Sequence, residues 1–299
     1  MTEPSHSGRW SALLRYRFLE PGLDGVRHGV NGFRNGRRHY RPIFVAGAMG
    51  SGTTLLALLL GQRLETAGVV TESARQISRS SFLHMPRTDS YASVAALTRA
   101  LDVSASWDVT AARSDLSRLY RRRAFRSSEW IVDKGPNANL VRARQLKEAF
   151  PDSRFVAIFR DPVANVEGIR RKWSLFAESS LEEAIEFYRT IHEAFLEAIE
   201  EFSDDCLLID YDEMVRRDAE YIRGLSAWLD IGAPTSSLPM RDRPNVKGRG
   251  VRAVSGKTIS VVQGASGEAY ARLSSTEVEA IQMGLSDLMS RLGELAWRP

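Results

Sequence analysis

The chain has 299 residues, 43% of them hydrophobic and 26% charged, enough apolar material for a substantial core and too much for wholesale disorder. Lys and Arg number 41 against 37 Asp and Glu, a net charge of +4 carried mainly by arginine. No basic run is interleaved with aromatics as a nucleic-acid platform requires, so no nucleic-acid partner is expected.

In chain order, residues 1–41 form a basic arm, with Arg9, Arg15, Arg17, Arg27, Arg34, Arg37, Arg38 and Arg41 among scattered Gly and Asn. It reads as a flexible arm, a peripheral contact with an anionic membrane, or a strap packed on the domain, and it lacks the apolar stretch of a signal peptide. A β-branched strand at 43–46 breaks into Gly47, Gly50 and Gly52, and a Leu-rich helix follows over 53–63. A polar, helix-leaning insert occupies 75–125 and closes on Arg121-Arg122-Arg123, a run of the kind that usually forms a solvated face. Strand 130–133 then leads to helix 138–149, and strand 154–159 to helix 163–174. A long amphipathic helix over 181–202 has Ser180 as its cap, with Glu182 and Glu183 in the first turn.

Strand 206–210 contains the single cysteine, Cys206, which reads as a buried thiol; one cysteine makes no internal disulfide and fits a reducing, cytoplasmic setting. Helix 213–230 stops at Gly232 and Pro234. A Pro-, Gly- and Ser-rich basic stretch from 236 to 267 reads as a loop without regular structure, and a final helix over 275–292 is capped by Ser274. Strands alternating with helices predict an α/β fold: one domain over 42–299 with a central parallel sheet flanked by helices. In such sheets ligands bind at the carboxyl ends of the strands.

The glycine turn after the first strand directs several backbone N–H groups and a helix N-terminus at one point, which suits phosphate. Its spacing, Gly47-xxxx-Gly52-Thr53-Thr54, fits the P-loop pattern except that Thr53 stands where a Lys should reach the β- and γ-phosphates. A degenerate phosphotransferase or NTPase would need that Lys and an acid after an apolar strand, for which Asp133 and Asp210 are formal candidates. A second anion signal is Arg160, in Arg160-Asp161-Pro162 at the end of strand 154–159. An arginine fork at that edge matches a phosphate. The five histidines are scattered without ligand spacing, so no metal is expected.

Ser51-Gly52-Thr53-Thr54 after a strand resembles the 5′-phosphosulfate loop of sulfotransferases that use 3′-phosphoadenosine 5′-phosphosulfate (PAPS), and the strand ending Arg160-Asp161-Pro162 resembles their 3′-phosphate site. The likeness is nearest to the protein-tyrosine sulfotransferase-like branch and the bacterial enzymes grouped with it, and it spans about residues 42 to 295. It implies a bacterial, cytoplasmic PAPS-dependent enzyme that makes a sulfate ester and 3′,5′-ADP. It assigns Gly50, Ser51, Gly52, Thr53 and Thr54 to the phosphosulfate loop, and Arg160, Gly168 and Lys172 to the 3′-phosphate. The family usually has a basic residue at position 50 and a Ser at position 168; this chain has glycine at both.

Glu72 matches the branch's general base, Lys134 in Asp133-Lys134-Gly135-Pro136 its leaving-group lysine, and Tyr211 its tyrosine near the nucleotide. Lys257, with Ser255, reads as part of a lid over the nucleotide. The insert is the expected acceptor wall, for a small-molecule or lipid-like hydroxyl; a peptide tyrosine is the acceptor the resemblance leaves as an alternative. A non-catalytic nucleotide-binding protein is the further alternative, favoured by the two glycines.

Overall fold

A computed structural model of the chain describes residues 38–64, 66–76, 91–101, 108–232, 240–241, 251–254, 258–261 and 267–299. The central sheet has five parallel strands in the order β2-β3-β1-β4-β5. They are β1 (Arg41–Ala46), β2 (Val69–Thr71), β3 (Trp130–Lys134), β4 (Arg154–Phe159) and β5 (Cys206–Asp210). In β1 alternation sends Ile43 and Val45 into one apolar layer and Phe44 and Ala46 into the other, and all four are fully buried. A strand covered on both faces reads as a continuous apolar run, which is what makes it legible in sequence.

One layer holds helix α1 (Thr53–Arg63), whose Leu55–Leu60 run packs on Ile43, Val45, Val156 and Ile158. The other holds α4 (Val109–Arg123) and the long α9 (Leu181–Glu201), with Phe44 stacked on Phe155 at 5.0 Å and edge-on to Phe150 at 6.1 Å. The short α2 (Ser73–Gln76) follows β2, and α3 (Val94–Leu101) precedes α4. Between β3 and β4 lie α5 (Ala138–Val141) and α6 (Ala143–Ala149); between β4 and α9 lie α7 (Pro162–Lys172) and α8 (Ser174–Ala177). After β5 come α10 (Tyr211–Arg216) and α11 (Asp218–Trp228), and the chain closes with α12 (Gly267–Tyr270) and α13 (Ser275–Leu295). Both expected caps are present as full capping boxes, Ser180 with Glu183 and Ser274 with Glu277. Cys206 is buried in β5, and burial pushes its thiol up to about 12.

Four features differ from what the sequence predicts. Strand β2 is an addition, since a three-residue Val-Val-Thr is too short for periodicity to register. The expected helix 138–149 breaks at Arg142, a buried residue with φ −110° and ψ 14° that ends α5 and begins α6. The expected helix 213–230 begins at Tyr211, under the cap of Asp210, and breaks at Arg217. The stretch expected to be a structureless loop contains β6 (Met240–Arg241), β7 (Val251–Val254) and β8 (Thr258–Val261), an antiparallel sheet in the order β6-β8-β7. Ser255 and Lys257 lie outside the described residues.

Candidate active site

All five strands point the same way, so β1, β2, β3 and β4 deliver their carboxyl ends to one edge, where the candidate residues gather. The β1–α1 loop carries three glycines at positive φ: Gly47 at 156°, Gly50 at 91° and Gly52 at 105°. At Gly52 the conformation is left-handed and a Cβ would collide with the Tyr211 ring, so only glycine fits. Gly50 is left-handed as well, although a Cβ there would meet only Asn165 and Ile169, each at 3.5 Å. Position 50 therefore disfavours a basic side chain through its backbone rather than through crowding. Helix α1 starts at Thr53 with no side-chain cap on Gly52, which leaves its first N–H groups to the loop. Ser51 is buried and turns inward, its hydroxyl donating to the Ala48 carbonyl at 2.7 Å. Thr53 is buried and Thr54 half-buried.

Three asparagines that no sequence motif singles out clamp this loop. The Met49 N–H donates to Asn137 Oδ1 at 2.9 Å, and Asn165 Nδ2 donates to the Met49 carbonyl at 3.3 Å. Asn139 Nδ2 ties the carbonyls of Val45 and Asp133 together, at 3.2 and 3.0 Å. All three are buried polar residues just after a strand. Their position at the start of the helices that follow Gly135-Pro136 and Arg160-Asp161-Pro162, Asn137 as the N-cap of α5, Asn139 in its first turn and Asn165 in that of α7, is the one signal the sequence offers for them.

Glu72 and Lys134 meet. Thr71 of β2 lies opposite Lys134 of β3, so Glu72 continues past the lysine. Its N–H donates to the Lys134 carbonyl at 2.5 Å, and Lys134 Nζ lies 3.7 Å from Glu72 Oε1. The lysine side chain is 9% exposed and the glutamate 35%, so the pair is sheltered on one side and open on the other. Glu72 has φ 54°, a left-handed conformation that costs an ordinary residue about 1–2 kcal/mol and persists only where neighbours hold it. Lys172 is also close enough to feel Glu72: partial desolvation holds its ammonium below the ordinary lysine range, and the glutamate acts against that shift. Its Nζ lies 4.2 Å from the Trp173 ring centroid.

Arg160 follows β4 with its guanidinium over the Tyr211 ring, 4.8 Å from the centroid. Tyr211 is buried and its ring also packs against Gly52, which joins the glycine loop, the arginine and the tyrosine in one cluster. Tyr188 of α9 donates to the Arg160 carbonyl at 2.9 Å. Asp161 caps α7 through the Ala164 N–H at 2.8 Å and accepts from the Tyr270 hydroxyl at 2.8 Å. Gly168, one turn before Lys172, faces space: a Cβ there would meet nothing within 4 Å. Among the described residues no group of His, Cys, Asp or Glu is placed to hold a metal ion, and no helix is long and apolar enough to cross a membrane.

The two formal acids of a phosphotransferase are committed elsewhere. Asp210 caps α10, accepting from the N–H groups of Asp212 and Glu213 at 2.8 and 3.2 Å. Asp133 is fully buried and accepts from the Tyr120 hydroxyl at 2.7 Å. Burial pushes its carboxyl up to about 6, against the opposing hydrogen bonds of Tyr120 and Ser73 and the charge of Lys134.

Residues 42–234 match the model of the Sulfotransferase family, well over half of the chain, and the chain belongs to that family. It is a sulfotransferase, an enzyme that transfers a sulfuryl group. Among solved structures, the sulfotransferase domain from the Synechococcus PCC 7002 olefin synthase has a TM-score of 0.50 and 14% identity, over 84% of this chain and 96% of that one. The sulfotransferase domain from the curacin biosynthetic pathway has 0.49 and 16%, over 83% and 98%; sulfotransferase STF9 from Mycobacterium avium has 0.49 and 15%, over 84% and 76%. At such identities the likeness concerns the fold alone. No curated protein matches the chain in sequence.

The raised carboxyl of Asp133 gives a signed pH dependence. With a folded pKa of about 6 above the ordinary 3.8, the folded chain holds this proton more tightly than the unfolded one. That stabilisation is complete below pH ~4 and gone above pH ~6, a change of roughly 3 kcal/mol. Urea unfolding of wild type and Asp133→Asn across that window should show the wild type's relative advantage shrinking by about this amount as pH rises. A difference that stays flat would mean Asp133 titrates alike in both states.

Proposed function

We propose that this sulfotransferase takes its sulfuryl group from PAPS at the edge formed by β1, β3 and β4 and passes it to a hydroxyl acceptor. The observation that carries this reading is the sheltered Glu72–Lys134 pair, set by strand register beside a glycine loop whose P-loop lysine is replaced by Thr53. When bound, PAPS supplies the sulfuryl group and the leaving oxygen of its 5′-phosphate.

The residues divide that chemistry. Glu72, the carboxylate open to solvent, takes the proton of the acceptor hydroxyl. Lys134 supplies positive charge where the leaving oxygen becomes anionic, and the N–H groups of Gly50, Gly52, Thr53 and Thr54 add dipoles there, that of Ser51 being spent on the Ala48 carbonyl at 3.0 Å. With glycine at position 50, Lys134 carries the charge that the family's loop residue would share. Arg160 and Lys172 bind the 3′-phosphate, and Tyr211 fixes the arginine plane beneath it. The open side of Gly168 leaves room that a family serine would fill.

The proposal extends to the whole chain: an arm over 1–41, and a sulfotransferase domain over 42–299 whose 75–125 insert borders the acceptor. The acceptor is a small-molecule or lipid-like hydroxyl, with a peptide tyrosine as the alternative; the setting is bacterial and cytoplasmic. A degenerate NTPase is not favoured, since Asp133 and Asp210 are spent on Tyr120 and on the α10 cap.

Three outcomes test the assignment. Arg160→Ala should weaken 3′,5′-ADP by about 1.5–3 kcal/mol in calorimetry with the fold intact, and unchanged affinity would place the 3′-phosphate elsewhere. Gly168→Ser should tighten the same nucleotide by about 0.5–1.5 kcal/mol, the worth of one added hydrogen bond; weaker binding would contradict the open space assigned there. Glu72→Gln should slow radiolabelled sulfuryl transfer to a phenolic acceptor panel by about 10²–10⁴-fold while sparing nucleotide affinity, and retained turnover would remove Glu72 as the base.

A further inference from the structure

Residues 267–277, from α12 into the first turn of α13, dock on α7 through side chains that the proposed chemistry leaves unused. The Tyr270 hydroxyl donates to Asp161 Oδ2 at 2.8 Å, Arg272 lies 3.3 Å from Glu167, and Glu277 lies 3.3 Å from Arg170. All three C-terminal residues fall beyond the stretch that matches the family model. The arginine of each ion pair is partly open to water, where such pairs contribute little. Tyr270 differs, because its partner is the residue next to Arg160.

Asp161 stands in an electrostatically awkward place. A carboxylate one residue from Arg160 repels an arriving phosphate, and by turning it can compete with that phosphate for the guanidinium. The structure gives each of its oxygens another donor. Oδ1 accepts the Ala164 N–H at 2.8 Å, which caps α7, and Oδ2 accepts the Tyr270 hydroxyl. A backbone cap engages only one oxygen; the tyrosine engages the second with a charge-assisted bond and so fixes the carboxyl group at both ends.

Tyr270 is suited to that task. Partial burial, and after it the bond to Asp161, push its hydroxyl up to about 12, so it stays a donor across the neutral range. Its ring is 39% exposed, so the hydroxyl can be removed without opening the core. Two other tyrosines support Arg160 itself: the Tyr211 ring lies under its guanidinium, and Tyr188 holds its carbonyl. Tyr270 acts instead on the neighbouring acid.

We propose that Tyr270 is a positioning residue for the nucleotide: by engaging Asp161 it prevents that carboxylate from competing with the 3′-phosphate for Arg160. The inference rests on the reading of Arg160 as the 3′-phosphate ligand. It gives the C-terminal segment a part in nucleotide selection, since the effect concerns the 3′-phosphate and no other group of the ligand.

The test is calorimetry on the full chain with 3′,5′-ADP and with 5′-AMP, which lacks the 3′-phosphate. Tyr270→Phe should weaken 3′,5′-ADP about three- to tenfold, as for one lost hydrogen bond, and leave 5′-AMP within about twofold. In an Asp161→Asn background the same substitution should change nothing, because the amide still caps α7 and carries no charge to restrain. Urea unfolding verifies that each variant folds. Unchanged 3′,5′-ADP affinity in Tyr270→Phe, an equal loss for both nucleotides, or an effect that persists in the Asp161→Asn background would each overturn the proposal. Unchanged 3′,5′-ADP affinity in Arg160→Ala would overturn the nucleotide reading and this inference with it. A loss in Arg160→Ala beside none in Tyr270→Phe would overturn this inference alone.

Discussion

Burial of β1 on both faces is the constraint from which the rest follows. A strand with Ile43, Phe44, Val45 and Ala46 all out of water needs a helical layer on each side, and its parallel neighbours β3 and β4 complete its hydrogen bonds. Parallel neighbours in turn gather their carboxyl ends on one edge. The chain leaving β1 there must turn at once into α1, and the glycines at 47, 50 and 52 make that turn sterically accessible. In the proposed reading the loop binds its anion because the same turn leaves the first N–H groups of the new helix without intrahelical partners.

Charge at that edge is arranged against the cost of burying it. Lys134, nearly enclosed, would be strongly disfavoured alone, and Glu72 at 3.7 Å compensates it. The left-handed backbone of Glu72 is sustained by its N–H bond to the Lys134 carbonyl and by the β2–β3 pairing just before it. Next to the pair, Asp133 is held by Tyr120 in a site dry enough to raise its carboxyl well above the ordinary range. In the proposed reading the incoming anion takes over the charge of Lys134 and frees Glu72 to accept a proton.

The loop departs from its family in a way the backbone explains. Gly50 is left-handed, and its neighbour Met49 is held at both N–H and carbonyl by Asn137 and Asn165. In the proposed reading a loop tethered on both flanks by buried amides relies on shape and dipoles, with the full charges supplied by Lys134, Lys172 and Arg160. Arg160 is itself braced from two sides, by the Tyr211 ring and by Tyr188 on its carbonyl.

Much of this architecture is legible in the amino-acid sequence alone. Continuous apolar runs mark β1, β3, β4 and β5, because strands covered on both faces carry their burial in composition. Glycine spacing marks the loop, and Arg160-Asp161-Pro162 marks a strand end, because turn chemistry is local. Ser180 and Ser274 announce their helices through contacts only three residues long. The tertiary structure alone decides what depends on distant parts of the chain meeting. Strand β2 is too short to announce itself, yet its register against β3 brings Glu72 to Lys134, 62 residues along the sequence. Asn137 and Asn165 become loop clamps only when β3 and β4 flank β1, and the Tyr120–Asp133 bond exists only because α4 folds across β3. Local chemistry is written in neighbouring residues; the pairing of strands, which selects among many registers by burying both faces at once, is not.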